Sequence, residues 1–144
     1  CIRDSYLPLA MTGHLMFNEI DAENVSTQSA KLIEKVIRGH IGFDGLLMTD
    51  DISMKALSPD IGITLHAENA LRAGCDVILH CNGDASEMFP LMETLPRLTG
   101  RALERADKAM KLLSSKTSKI DAATAEEEWK ELISAHFPES PKNV

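Results

Sequence analysis

Three short apolar runs constrain this chain most: Leu7–Met11, Gly45–Thr49 and the segment CDVILHC at 75–81. Stretches with helical spacing separate them. Continuous apolar runs divided by helices imply parallel strands covered on both faces. Three strands are few for a doubly wound sheet and suit part of a larger α/β barrel. In such barrels the chemistry sits at the C-terminal ends of the strands. All three runs end in polar residues, TGH, TDD and HCNGD. That coincidence is the strongest purely physical pointer to a site.

The helices are read from period and punctuation. In STQSAKLIEKVIRGHIG, Leu32, Ile33, Val36 and Ile37 share one face, with Ser26, Thr27 or Ser29 as cap and Gly39 or Gly42 as terminator. A second helix is expected from about Thr64 to Ala73, stopped by Gly74. ASEMFPLMETLPRL reads as a helix interrupted by Pro90 and Pro96. TGRALERADKAMKLLSS is amphipathic, with Thr99 as a possible cap. A last helix near Ala123–Ala135 carries Trp129, Leu132 and Ile133 and is expected to dock on the body, while PESPKNV frays. These patterns divide the chain into residues 1–113 and a C-terminal helical tail, 114–144.

Composition narrows the function. At 144 residues and 44% hydrophobic, the chain can bury a core of one domain. A net charge of -7 argues against broad nucleic-acid or anionic-membrane binding, which need a basic face. No apolar run approaches the ~20 residues that span a bilayer, and no signal peptide is visible at the start. Cys1, Cys75 and Cys81 lack metal-ligand spacing and read as reduced thiols, so a cytoplasmic location is expected. The start at Cys1 hints at a missing upstream part.

Asp50 and Asp51 stand out, because a buried strand does not end in two carboxylates by default. Either one could cap a turn or face a substrate. Neighbouring strand residues point to opposite sides, so the two should not share a site, and period alone does not say which faces in. His14 ends the first run on the same presumed face, as a structural group or a substrate contact. His80 and Cys81 read as structural, with Asn82 and Asp84 as weak candidates for the mouth of a site. His66, within a helix, reads as solvated. Met48 and Met54 read as core packing, Glu126–Glu128 as a solvated helix face, and Trp129 as a helix anchor.

The stretch IRGHIGFDGLLMTDDISMKAL resembles the active-site signature of family 3 glycoside hydrolases. It is most similar to their bacterial β-N-acetylglucosaminidase (NagZ-like) branch. LPLAMTGHLMFNEIDAENVSTQSAKLI and ALRAGCDVILHC resemble the strands on either side of that signature, so the likeness spans roughly Leu7 to Leu113. His40 departs from the family, which usually has a charged residue there. The resemblance implies a partial (β/α)8 TIM barrel, about its last three strands. It implies retaining hydrolysis of terminal β-linked N-acetylglucosamine in the recycling of cell-wall muropeptides, with no metal or organic cofactor.

The family's nucleophile falls on Asp50, and His14 becomes a candidate substrate contact. Asp51 would turn outward to cap the next turn or pair with Lys55. The family's acid/base histidine loop and sugar-binding Lys-His have no counterpart here. The chain is therefore expected to be a C-terminal portion of the barrel, with little turnover alone. Its open strand edges would favour self-association or a partner half. A non-catalytic module is the competing class. An aldolase or phosphate binder is a third, but no Schiff-base lysine ends a strand and there is no Gly-rich phosphate loop.

Overall fold

A computed structural model describes residues 7–113 and 121–136. The chain divides into two compact units, Cys1–Ser114 and Ser115–Val144. The first holds a three-stranded sheet, β1 (Leu9–Met11), β2 (Leu46–Asp51) and β3 (Val77–Leu79), in the order β1-β2-β3. Both pairings are parallel, with Leu9 opposite Leu46 and Met48 opposite Val77. Parallel neighbours need a crossover. A π-helix (Leu32–His40) provides the first and α1 (Ile63–Ala73) the second. After β3 come α2 (Ala85–Thr94) and α3 (Gly100–Leu113). Three parallel strands flanked by helices are a partial (β/α) barrel.

The helix side of the sheet carries the core. Leu47 from β2 packs with Ile33, Phe43, Ala70, Ala73 and Cys75, and Ala10 and Ile78 join from the outer strands. Ile78 also touches a second cluster of Ile52, Leu57, Ala67 and Leu91. The close approach depends on Gly74. It ends α1 in the left-handed region at φ 115°, and a Cβ there would lie 2.9 Å from Ile33 Cγ2. Gly74 thus serves as the terminator its position in the sequence suggests.

Several elements differ from the expectation. The first helix is not one α-helix. A 3₁₀ turn covers Ser26–Gln28, and the π-helix then closes wide turns such as Ile41 N–H to Val36 C=O, five residues back, at 2.8 Å. Spacing of apolar residues does not separate i+4 from i+5 winding. Of the three possible caps, Ser29 serves, its Oγ accepting from Leu32 N–H at 3.1 Å. β2 runs two residues beyond Thr49 and takes in both aspartates. Pro90 lies inside α2 without breaking it, while Pro96 follows its end. Thr99 stands at the start of α3, where its carbonyl accepts from Leu103 N–H at 3.3 Å, as the residue before a helix does.

His66 is buried, not solvated. Its Nε2–H donates to the Ser58 carbonyl and its Nδ1 accepts from the Gln28 amide, both at 2.9 Å. A buried polar ring is tolerated because both nitrogens are satisfied. In the second unit, α4 (Ala122–His136) buries none of its residues, and Trp129 is 61% exposed. The segment PESPKNV lies outside the described residues.

The N-terminal end of the sheet is held by a charge cluster. Asp76, just before β3, is buried. Its Oδ2 accepts from the Leu47 N–H and from Arg38, both at 2.8 Å, and its Oδ1 accepts from Arg105 at 2.9 Å. Arg38 also donates to the Phe43 and Gly45 carbonyls at 2.9 and 2.8 Å. Arg105 reaches Asp44 at 2.8 Å. A buried carboxylate with both oxygens engaged is stable in place, whereas removing one partner strands the others.

Two outcomes are expected. Asp76→Asn leaves two partly buried guanidinium groups short of a counter-charge and should cost about 3–5 kcal/mol in urea unfolding. Burial pushes the Cys75 thiol up to about 12, whereas Cys81 is exposed. At pH 8 the native chain should therefore lose one reactive thiol in Cys81→Ser and none in Cys75→Ser, read with a chromogenic thiol reagent.

Candidate functional site

The polar strand ends meet at the C-terminal edge of the sheet. β2 supplies Thr49, Asp50 and Asp51. Leu47 and Thr49 are buried on the helix side, so by strand alternation Met48 and Asp50 face the other way. That opposite face also carries Leu9 and Met11, which are 48% and 55% exposed.

A bulge interrupts the strand here. Positions 48 to 51 of β2 run against only 77 to 79 of β3, so one extra residue sits in β2. The Thr49 hydroxyl fills the gap by accepting from Leu79 N–H at 2.9 Å, and the ladder resumes with Ile52 N–H to Leu79 C=O at 3.0 Å. Bulges re-aim side chains and recur beside active sites.

The two aspartates are held differently. Asp50 is half-buried, and its Oδ1 accepts from the Asp51 N–H at 2.9 Å. This is the one hydrogen bond found for its carboxylate among the described residues. Asp51 accepts from Ser53 N–H and Oγ at 3.0 and 2.8 Å, and from Cys81 N–H at 3.2 Å. Its carboxylate therefore caps the turn after β2 and ties it to the exit of β3. Ser53 and Cys81, rather than Lys55, are its partners. Burial alone would raise the Asp51 pKa, but these hydrogen bonds and nearby His80 outweigh it and hold it below the ordinary 3.8.

His14 reaches in from the end of β1. Its Nε2–H donates to the Asp51 carbonyl and its Nδ1 meets Thr27 Oγ1, both at 2.9 Å. Thr27 in turn bonds Thr12 Oγ1 and the Gly13 carbonyl, each at 2.9 Å. Both His14 nitrogens are thus engaged within the protein. The other mouth candidates serve the exit loop. The Asn82 amide donates to Glu87 at 2.7 Å, and Asp84 caps α2 by accepting from Ser86 N–H at 2.8 Å. His80 Nε2–H donates to Glu87 Oε2 at 2.8 Å.

A cavity of about 370 Å³ opens directly after β2, between the Ile52–Gly62 loop and the start of α1, with Lys55, Asn82 and Glu87 on its wall. Asp50 does not line it. Thr27 and Asp21 were not legible as site supports. Asp21 organises the loop after β1, accepting from Ser29 Oγ at 2.7 Å and from Glu23 and Asn24 N–H. The Ser29 bond leads in holding its pKa down at about 2. The sole signal for it was an acidic residue three positions before an asparagine in a polar loop. Among the described residues no group of three or more His, Cys, Asp or Glu side chains could hold a metal ion. No helix among them is long and apolar enough to cross a membrane.

Both depressed carboxylates stabilise the fold in their charged form. Their contribution is present above the unfolded value near 3.8 and lost as pH falls through the lower folded values. Asp21→Asn should therefore flatten the acid limb of stability between about pH 4 and pH 2 in thermal melts, and Asp51→Asn should flatten it just below the unfolded value near 3.8.

Comparison with known proteins places this geometry. The family model described as "Glycosyl hydrolase family 3 N terminal domain" matches residues 1–125. The beta-hexosaminidase of Bordetella avium (strain 197N) is 35% identical over 79 residues, covering 55% of this chain and 22% of that protein. That of Tolumonas auensis (strain DSM 9187 / NBRC 110442 / TA 4) is 30% identical over 124 residues, covering 86% of this chain and 35% of that protein. The crystal structure of the beta-N-acetylglucosaminidase from Thermotoga maritima superposes with a TM-score of 0.60 at 30% identity, over 77% of this chain and 26% of that one. The chain spans about a fifth to a third of the length of these relatives. By the family match over most of its length, the chain belongs to glycosyl hydrolase family 3.

Proposed function

We propose that this chain carries the nucleophile-bearing part of a retaining β-N-acetylhexosaminidase, with Asp50 as the nucleophile. One observation carries the reading: Asp50 lies within the bulge next to the last residue of the central parallel strand, half-buried, with one short-range hydrogen bond and its second oxygen without a partner among the described residues. Family membership supports glycosidase chemistry in general. The names of the relatives support a terminal β-linked N-acetylglucosamine as the sugar.

In this reading an Asp50 oxygen attacks C1 as the bond to the leaving-group oxygen breaks. The product is a glycosyl ester of Asp50, which water then hydrolyses. Asp51, fixed by Ser53 and Cys81, keeps the strand end rigid. His14 holds the Asp51 carbonyl and borders the sugar, and a direct contact through nitrogen would require it to release Thr27 or Asp51. A proton donor for the leaving group comes from outside the groups gathered here. Residues 1–113 form the barrel portion and 114–144 a tail. The substrate would be a cell-wall muropeptide met in the cytoplasm.

The alternative, a non-catalytic barrel module that associates with another chain, is favoured by the exposed Leu9 and Met11 on β1. Association through this face predicts a species larger than the monomer in light scattering, reduced by Met11→Lys. A strict monomer at all concentrations would sink it.

An activated leaving group separates the nucleophile from the missing acid. Dinitrophenolate departs without protonation, so a dinitrophenyl β-N-acetylglucosaminide should be cleaved at least ~100-fold faster than an alkyl one. Asp50→Asn should reduce the release to background. Release that survives in Asp50→Asn would remove Asp50 as nucleophile.

A further inference from the structure

β1 stops at Met11, opposite Met48, while β2 runs on to Asp51. The peptide after Asp51 turns its N–H, that of Ile52, to the Leu79 carbonyl of β3. In a trans peptide the C=O points the other way, so the Asp51 carbonyl faces the side that β1 has already left. The His14 ring serves it there: Nε2 lies 2.9 Å from that oxygen, and Met54 N–H adds a second bond at 3.1 Å. A carbonyl only accepts, so Nε2 carries the ring proton, and Nδ1 of the neutral ring is an acceptor.

Thr27 is placed to satisfy Nδ1. It is fully buried, with Oγ1 at 2.9 Å from that nitrogen. The Gly13 carbonyl is also within its reach, but the Ser26 hydroxyl already donates there, which frees the Thr27 proton for His14. Thr12, buried beside it, then donates to Thr27. Donation thus runs in one direction, from Thr12 to Thr27 to His14 to the Asp51 carbonyl, and leaves neither His14 nitrogen over for a ligand.

Asp51 in turn orients Asp50. Its N–H makes the one bond found for the Asp50 carboxylate among the described residues, at 2.9 Å. Its own carboxylate is tied to Ser53 and to the Cys81 N–H. Asp51 is therefore pinned by side chain and carbonyl, and on the β1 side the pin is His14. An attacking group gains most when the residues behind it lock its direction.

We propose that His14 is a positioning residue: acting through Asp51, it aims the Asp50 carboxylate, and its nitrogens do not bind the sugar. The inference rests on Asp50 being the nucleophile and adds how that nucleophile is held.

The test compares the full chain with His14→Ala and His14→Gln by amide hydrogen exchange and by hydrolysis of a dinitrophenyl β-N-acetylglucosaminide. Glutamine can set a side-chain N–H near the place of Nε2, whereas alanine cannot. Asp51 N–H should exchange about 10-fold faster in His14→Ala and recover in His14→Gln. Asp76 N–H, bonded to the Leu47 carbonyl at the far end of the sheet, should keep its protection in both. kcat should fall about 10- to 100-fold in His14→Ala with KM within about twofold, and His14→Gln should regain most of it. Ring-nitrogen NMR of the parent should find the proton of the neutral His14 ring on Nε2. Asp51 exchange indifferent to His14, or not restored by glutamine, would overturn the proposal. So would a proton on Nδ1, loss of Asp76 protection along with that of Asp51, or a raised KM at unchanged kcat, the mark of a substrate contact. The exchange and ring readouts need no turnover, so they decide the matter even for a chain that releases nothing. Release that survives in Asp50→Asn would remove the nucleophile instead, whatever the exchange shows.

Discussion

Asp76 is the point on which the architecture turns. One carboxylate accepts from the Leu47 N–H of the central strand, from an arginine of the helix before β2 and from an arginine of α3. Parallel strands meet only through long crossovers, so nothing local fixes their relative height. Asp76 supplies that reference. The Leu47 carbonyl also accepts the Asp76 N–H at 2.8 Å, so strand height and charge pairing are set by the same two residues. A buried ion cluster adds less net stability than its distances suggest, because desolvation offsets much of the attraction. Its value here is that wrong alignments leave charges unpaired.

The opposite end of the sheet uses weaker and more numerous bonds. Asp51 gathers the exits of all three strands: the ring of His14 reaches its carbonyl, and the Cys81 amide reaches its carboxylate. The neighbouring Asp50 is left with little to do structurally. Two identical side chains, adjacent in sequence, thus separate into a fastener, Asp51, and a carboxylate with a single hydrogen bond among the described residues, Asp50. The cause is backbone geometry: neighbouring strand residues face opposite sides, and the bulge falls between Met48 and Asp51. Sites built on strands anchored elsewhere hold their geometry well, and here the ion cluster at the far end gives that support.

The sequence discloses what depends on one residue type at one place. Apolar runs mark the three strands, and Gly74 marks the end of α1 because its φ of 115° excludes most side chains. Polar strand ends mark the face where a site belongs. What depends on distant partners stays hidden. His66 looks solvated until Gln28 and Ser58 come into view. Asp76 looks like the polar fringe of CDVILHC until Arg38 and Arg105 fold onto it. The π winding of Leu32–His40 escapes because its apolar spacing also fits an α-helix. Pro90 reads as a break, yet α2 continues through it.

The extra residue in β2 bears on which changes in chain length the strand can absorb. A loop can gain or lose a residue with little consequence beyond its own conformation. Between Met48 and Asp51, deleting one would restore an even count against β3 and close the ladder more regularly. The same deletion would exchange the faces of everything after it, sending Asp51 to the open side and Asp50 into the helix layer. The irregular pairing is therefore a counting device, and at this point chain length matters as much as residue identity.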